Sequence, residues 1–331
     1  MKKDFNLLLS MLFIAILLIL GCGDDTSDQG DGTGTGTGEP GLIRTFSGHE
    51  NAIYSVAISP EGGYALSCGP DGIKYWKIED ASCIRTFEGH TLGTNSVCFS
   101  SDGKSALSGG DDSTLKLWLI SDGTCTSTFE GHSSPVRSVD ISLDGKNALS
   151  GSNDYYIKYW DIASKTCKKT GKDHNDFVVD IAFSSDGNYA ISASYDSSVK
   201  YWELQTGNCL KTLEGHTDYV NAVAISPDGN YALSGSNDKT IKYWNISNGS
   251  IVFELGDANS SVYAVAISPD GKTALSGDES GKIKLWDLSD ASCIYTFEGH
   301  VDCIYSVVYS PDGKYMLSGS KDKTLKYWRL P

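Results

Sequence analysis

Basic residues are scarce in this 331-residue chain, where 27 Lys and Arg stand against 42 Asp and Glu for a net charge of −15. The Lys residues are spread along the sequence, and no polybasic patch forms. That argues against nucleic acid as a partner, because phosphate backbones call for clustered cations. The motifs of nucleotide and metal chemistry are missing as well. There is no Walker loop, no dinucleotide fingerprint and no zinc-ligand spacing, so no cofactor and no metal are expected. Charged residues make up only 21% of the chain, while 40% is hydrophobic and 36 residues are Gly. That composition allows a large buried core interrupted by many turns.

The first segment, "MKKDFNLLLSMLFIAILLILGC", reads as a targeting signal. Lys2 and Lys3 precede an apolar stretch from Leu7 to Leu20, too short for a transmembrane helix of about 20 residues but suited to a signal-peptide core. Its end, Ile19-Leu20-Gly21-Cys22, resembles the lipobox of bacterial lipoproteins, with Ile19 and Leu20 departing from the usual choices. The resemblance implies cleavage after residue 21 and lipidation of Cys22; an uncleaved signal anchor and ordinary signal cleavage are the other readings. It implies an exported protein, lipid-anchored to a bacterial membrane. Gly23, rather than Asp, after the Cys favours the outer membrane; in a Gram-positive host the anchor would sit on the outer face of the cytoplasmic membrane. Residues 22–40 then form a tether whose "GDDTSDQGDGTGTGTGEP" has no large apolar residue to offset its ordering entropy.

Nine cysteines in an exported chain raise the question of disulfides. Cys83, Cys125, Cys167, Cys209 and Cys293 share one position of an internal repeat, where Leu42 and Ile251 also occur. A position open to Ile and Leu is expected to be a packing position, with Cys as a small hydrophobe. Cys68, Cys98 and Cys303 break the repeat.

That repeat organises residues 41–331. Trp76, Trp118, Trp160, Trp202, Trp244, Trp286 and Trp328 are the only tryptophans, and each interval is 42 residues. The six histidines hold one relative position in six of the seven units. In the fifth unit, "YVNAVAIS", "YALSGS" and "IKYW" read as three strands, and "CLKTLEGH" as the fourth strand of the unit before. "PDGN" between the first two is a turn, with Pro227 presetting φ and Gly229 free to take φ > 0. Four short strands cannot bury both faces alone, but seven such sheets stacked radially can.

Gly-His, a Ser in the second strand, an Asp in the next turn and a Trp in the third strand recur in order, and here the chain resembles the WD40-repeat family over about residues 42–330. The resemblance implies an all-β, seven-bladed propeller. It also implies that the four residues form an internal hydrogen-bonded chain, namely His49, Ser67, Asp71, Trp76; His90, Ser108, Asp112, Trp118; His132, Ser150, Asp154, Trp160; His174, Ser192, Asp196, Trp202; His216, Ser234, Asp238, Trp244; and His300, Ser318, Asp322, Trp328. A Ser–His–Asp trio also invites a catalytic reading. Six copies, each tied to an indole, favour a device of the fold, and no catalytic residue is expected. In the sixth unit Ala258 replaces the His and Ser280 the Asp, so both members of the pair are lost together. "GLIRTFSGH" at residues 41–49 is a fourth strand without its first three, and the last unit ends at Trp328 without a fourth. The two should pair and close the ring.

In the family, partner contacts cluster on the face bearing the Gly-His and Asp turns. Mapped by repeat position, Tyr54, Asn95, Arg137, Val179, Asn221, Tyr263 and Tyr305 form one ring there. Phe177 and Tyr219 lie two residues before their ring positions, and Tyr195 just before a turn Asp. Aromatics and an Arg suit a binding patch. The expected function is a non-catalytic, membrane-anchored scaffold that binds a protein or peptide at the cell envelope, with the propeller monomeric. The alternative is an enzyme or saccharide-binding propeller with a polar site in the central opening. Asp111 and Glu279, the acids at the mapped turn positions, belong to blades too far apart for a paired-carboxylate hydrolase.

Overall fold

A computed structural model of the protein describes residues 38–255 and 260–331. The signal segment 1–21, Cys22, nearly all of the tether and Ala258 lie outside the described residues. Among the described residues, 28 strands form seven four-stranded antiparallel sheets. The fifth sheet shows the pattern, running Val220–Ile225, Tyr231–Ser236, Ile241–Asn245 and Ile251–Leu255 from the innermost strand to the rim.

The strands form where period-two alternation and turn chemistry agree. Gly229 takes φ 72° in the inner turn, as its place after Pro227-Asp228 requires. The Gly of each Gly-His pair has a packing reason: a Cβ on Gly89 would stand 2.9 Å from the Trp118 ring. The turn between second and third strands departs from expectation. Ser113, Tyr155, Ser197, Lys239 and Lys323 occupy it with φ between 64° and 75°, a region that disfavours side chains. The one cue in the sequence is the repeat, which has Gly281 at this position in the sixth unit, where φ is 84°.

Ring closure is as expected. Strand Gly41–Phe46 pairs antiparallel with Leu325–Arg329, from Gly41 opposite Arg329 to Phe46 opposite Leu325. The seven hydrophobic clusters fall at the seven blade interfaces. Leu233 and Tyr243 of the fifth blade pack with Ala274 and Trp286 of the sixth, and Leu317 and Tyr327 of the seventh with Ala65 and Trp76 of the first. Burying both faces of each sheet is thus a property of the closed ring, not of any blade.

The cysteine expectation fails. Cys83, Cys125, Cys167 and Cys293 are exposed, Cys209 is half-buried, and Leu42 and Ile251 at the same position are 47% and 41% exposed. The position lies opposite the blade Trp on the outermost strand, where no further layer covers it. Each thiol instead contacts the carbonyl two residues on, as Cys167 Sγ does with Lys169 O at 3.1 Å. All eight described cysteines are free, with Cys68 and Cys303 buried.

Candidate functional site

Six hydrogen-bonded tetrads are present in the form the sequence implies. In the fifth blade Trp244 Nε1 donates to Ser234 Oγ at 2.8 Å, Ser234 Oγ lies 2.7 Å from His216 Nε2, and His216 Nδ1 lies 2.7 Å from Asp238 Oδ2. Asp238, held ionised, can only accept, so His216 Nδ1 carries the ring hydrogen; the lowered His216 pKa keeps the ring neutral, which leaves Nε2 to accept from Ser234. Burial lowers the His216 pKa more than Asp238 raises it, and the same balance holds for His49, His90, His132 and His174. Burial opposes ionisation of Asp238 too, but hydrogen bonds from Thr240, the Thr217 amide and His216 outweigh it and hold the carboxyl at about 2. Each contact is thus an imidazole–carboxylate hydrogen bond at ion-pair distance. The first unit forms its tetrad despite its shortened turn, with His49 Nδ1 2.8 Å from Asp71 Oδ1.

Every atom of the serine hydroxyl is committed, each imidazole is buried, and the Ser Oγ is closed off by the indole. The trio cannot present a nucleophile to a substrate. It ties the Gly-His loop to the following blade. The turn residues Ser198, Thr240 and Thr324, which sequence reasoning missed, add hydroxyl donors to Asp196, Asp238 and Asp322. Their signal was a Ser or Thr two residues after the turn Asp.

On the same face, the mapped ring converges. Tyr54, Asn95, Arg137, Val179, Asn221, Tyr263 and Tyr305 line one mouth of about 300 Å³ at the propeller centre, with Tyr195 at its edge. Tyr305 meets Tyr54 and Tyr263 edge-on, each at 5.6 Å between ring centroids. Outside the mouth, Tyr195 stacks on Tyr219 at 4.4 Å and 13°, and Phe177 packs against Tyr195 at 5.9 Å. Tyr155, not anticipated, extends this row at 5.8 Å from Phe177 and is 41% exposed. Backbone bonds fix the row. The Tyr195 amide donates to Phe177 O at 3.0 Å, and the Asn237 amide to Tyr219 O at 2.9 Å. Asn95 Nδ2 donates to Asp111 Oδ1 at 2.8 Å, which places Asp111 beside the ring as a support for Asn95.

Below the mouth the opening narrows to about 130 Å³, lined by the next residues of the inner strands. Two carboxylates that sequence reasoning missed lie on these strands, Asp140 and Asp180, in neighbouring blades. Their signal was an acid at positions otherwise held by Ser, Ala, Cys or Val. Asp180 Oδ2 accepts from the Val223 amide at 2.9 Å and its Oδ1 from Ser138 Oγ at 2.9 Å, while Asp140 Oδ2 accepts from the Phe183 amide at 2.9 Å. Burial raises each carboxyl to about 6, against these bonds. Ser306, Ser55, Ser96 and Ser138 make the matching contacts to Val56, Val97, Val139 and Ile181 amides at 3.1–3.3 Å. The carboxylates therefore belong to a series of clamps in which the seventh, first, second, third and fourth blades each satisfy an edge amide of the next.

The family model described as WD domain, G-beta repeat matches residues 40–77, 81–118, 123–161, 165–203, 207–245, 249–287 and 291–329. Among curated proteins no match is found. Each matched segment begins one or two residues before the outer strand of one blade and ends on the third strand of the next, in keeping with the first strand's pairing with the last blade. The chain belongs to the WD40-repeat family, whose propellers are usually non-catalytic scaffolds that bind protein partners.

Proposed function

We propose that this protein is a non-catalytic scaffold, lipid-anchored through Cys22, that presents the Gly-His face of its propeller to a protein or peptide partner at the cell envelope. One observation carries the partner-binding reading. The ring positions differ from blade to blade, yet they converge on one mouth flanked by the Phe177–Tyr195–Tyr219 row. Rigid, partly exposed aromatics gathered at one opening are what a binding hot spot needs. The anchor rests on the apolar core from Leu7 to Leu20 and on the Ile19-Leu20-Gly21-Cys22 motif.

Two experiments test the two halves. A Tyr195→Ala/Tyr219→Ala variant of the full chain should keep its melting temperature and lose a partner captured by the wild type in a cross-linked pull-down. Equal capture by both would remove the face from consideration. Cys22→Ser should shift the protein out of the membrane fraction or block its maturation, and unchanged fractionation with unchanged processing would sink the anchor.

A further inference from the structure

This inference rests on the mouth as a partner site and names the group that enters it. Among the eight side chains lining the mouth, Arg137 alone is charged. Among the described residues its one hydrogen bond runs from a guanidinium nitrogen to Asn95 Oδ1 at 3.4 Å, long for such a contact, and no ion pair includes it. A guanidinium has five N–H donors in a rigid fork. Here it is half-buried, and among the described residues most of that fork is unused.

A second unsatisfied group belongs to the same blade. Asn153 Oδ1 is buried without a donor. The equivalent oxygens in the second and fifth blades, on Asp111 and Asn237, accept from their own ring residues, Asn95 and Asn221, at 2.8 Å. The third blade has Arg137 at that ring position, and its guanidinium turns to the second blade instead. The third blade thus holds a cation without an anion and an acceptor without a donor.

We propose that the mouth binds a single carboxylate of a polypeptide partner, held by the Arg137 fork, with a flanking side chain of the partner packed on Tyr195 and Tyr219. A planar carboxylate matches the fork in a two-point contact. A peptide supplies the carboxylate and apolar area together, which a small free acid does not. The outer surroundings limit the ligand to one negative charge. Asp218 and Glu279 are exposed near the Tyr263 edge, and the net charge of −15 repels acid-rich segments. The carboxylate is either an Asp or Glu side chain or a chain terminus.

The test pans a random 12-residue peptide display library on the full chain in detergent. The best enriched peptide is then titrated calorimetrically as the free acid, as the C-terminal amide, and with each Asp or Glu neutralised. Neutralising one carboxylate should weaken binding about tenfold or more, as loss of a charge-assisted pair implies. Arg137→Met should cost the same, and the two changes together no more than either, while Arg137→Lys falls between. The form of peptide that loses affinity, amide or Asn/Gln substitution, identifies the carboxylate's source. Peptides that lose affinity to Tyr219→Ala but are indifferent to Arg137→Met would overturn the carboxylate and leave the partner face standing. Peptides indifferent to every mouth substitution would overturn both. Thermal melting of each variant guards against misfolding, and if Arg137→Met melts early, a salt titration of the wild-type complex decides: affinity independent of ionic strength overturns the proposal.

Discussion

The fifth and sixth blades are neighbours with the same strand pattern, but different polar groups hold them. In the fifth, Asp238 collects His216, the Thr217 amide and Thr240, and His216 passes the chain through Ser234 to Trp244. In the sixth, the Trp286 to Ser276 bond survives at 2.9 Å, and the turn is capped from inside it. Asp278 stands where the other full-length turns carry Ser or Gly, and it accepts from Ser280 Oγ at 2.6 Å and from the Ser280 and Lys282 amides. The channel side differs in the same direction. Asp180 clamps the fourth blade to the fifth, whereas Ala222 and Ala264 stand where a clamp from fifth to sixth and from sixth to seventh would start. A blade can therefore keep its shape with local caps alone. What the sixth lacks is the His–Asp link and an inner-strand clamp at either side, while Asn221 Nδ2 still donates to Val262 O and Thr273 Oγ1 meets the Tyr309 hydroxyl, each at 2.9 Å.

The largest test of that difference removes the turn acid itself. Asp238→Ala strips a buried carboxylate from an imidazole, a hydroxyl and an amide, and should cost about 3 kcal/mol in urea unfolding of the full chain. His216→Ala should cost about 1–3 kcal/mol. Ser280→Ala, at an exposed and locally capped turn, should cost under about 1 kcal/mol. Equal losses in the two blades would mean the tetrad adds nothing beyond a turn cap. The comparison also changes how the missing pair is restored. Ser280→Asp alone sets a second carboxylate beside Asp278, so Ala258→His and Ser280→Asp should need Asp278→Ser with them. The triple variant should be more stable than any of its parts.

Acid should separate the two kinds of carboxylate. His49, His90, His132, His174 and His216 are lowered in the fold, so their contribution falls as pH drops below the unfolded value near 6.5. The tetrad aspartates are lowered as well, and their share is lost as pH falls below the unfolded value near 3.8 and through the folded one, about 2 for Asp238. Asp140 and Asp180 have the opposite sign. Raised to about 6, they bind protons more readily folded than unfolded, so they add stability as pH falls from 6 toward 3.8. Asp140→Asn/Asp180→Asn should therefore steepen the loss of melting temperature between pH 6 and 4. A profile parallel to the wild type would show that these carboxyls are not raised.

How much of this could be read beforehand depends on repetition. The tetrads and the closing strand were legible because seven copies at a fixed interval reveal which residues travel together, and Leu42–Phe46 has a sixfold template in the outer strands. Repetition says what a position accepts but not where it faces. Cys83 and its equivalents share their place with Leu and Ile, yet the outermost strand has solvent on one side, and a small apolar residue there is merely tolerated. One-off substitutions were legible only as departures. Asp140, Asp180 and Asp278 each break a column of small residues, and the bonds they make depend on the neighbouring blade or turn. The mouth falls between. Its ring could be mapped by position, but that Arg137, among the described residues, meets only the Oδ1 of Asn95, whose amide hydrogens go to Asp111 and Val136, required the structure.

Smaller effects sharpen the seam. Ala222→Ser and Ala264→Ser should supply the missing clamps to the Val265 and Val307 amides, each gaining about 0.5–1.5 kcal/mol. In the wild type those two amides should exchange with solvent faster than those of Val56, Val97, Val139, Ile181 and Val223, and the substitutions should slow them. Uniform protection around the ring would show that the seam is closed some other way.

The smallest expected change returns to the two turns. Lys239 adopts φ 69° in the fifth blade, where the sixth has Gly281 at φ 84°. A side chain in this region costs about 1 kcal/mol or a little more, offset in part because Gly loses more freedom on folding. Lys239→Gly should thus stabilise the fold by a few tenths of a kcal/mol to about 1. Gly281→Lys should do more harm than the backbone angle alone predicts. A Cβ there would stand 2.8 Å from the His300 carbonyl and 3.1 Å from that of Asp302, with backbone that has little room to yield. Melting curves of the two single variants give the answer. If both shift by similar amounts in opposite directions, only the angle matters. The larger loss expected at Gly281 would show that the sixth blade's turn presses closer to the seventh, so that the glycine serves there in place of the tetrad its blade lacks.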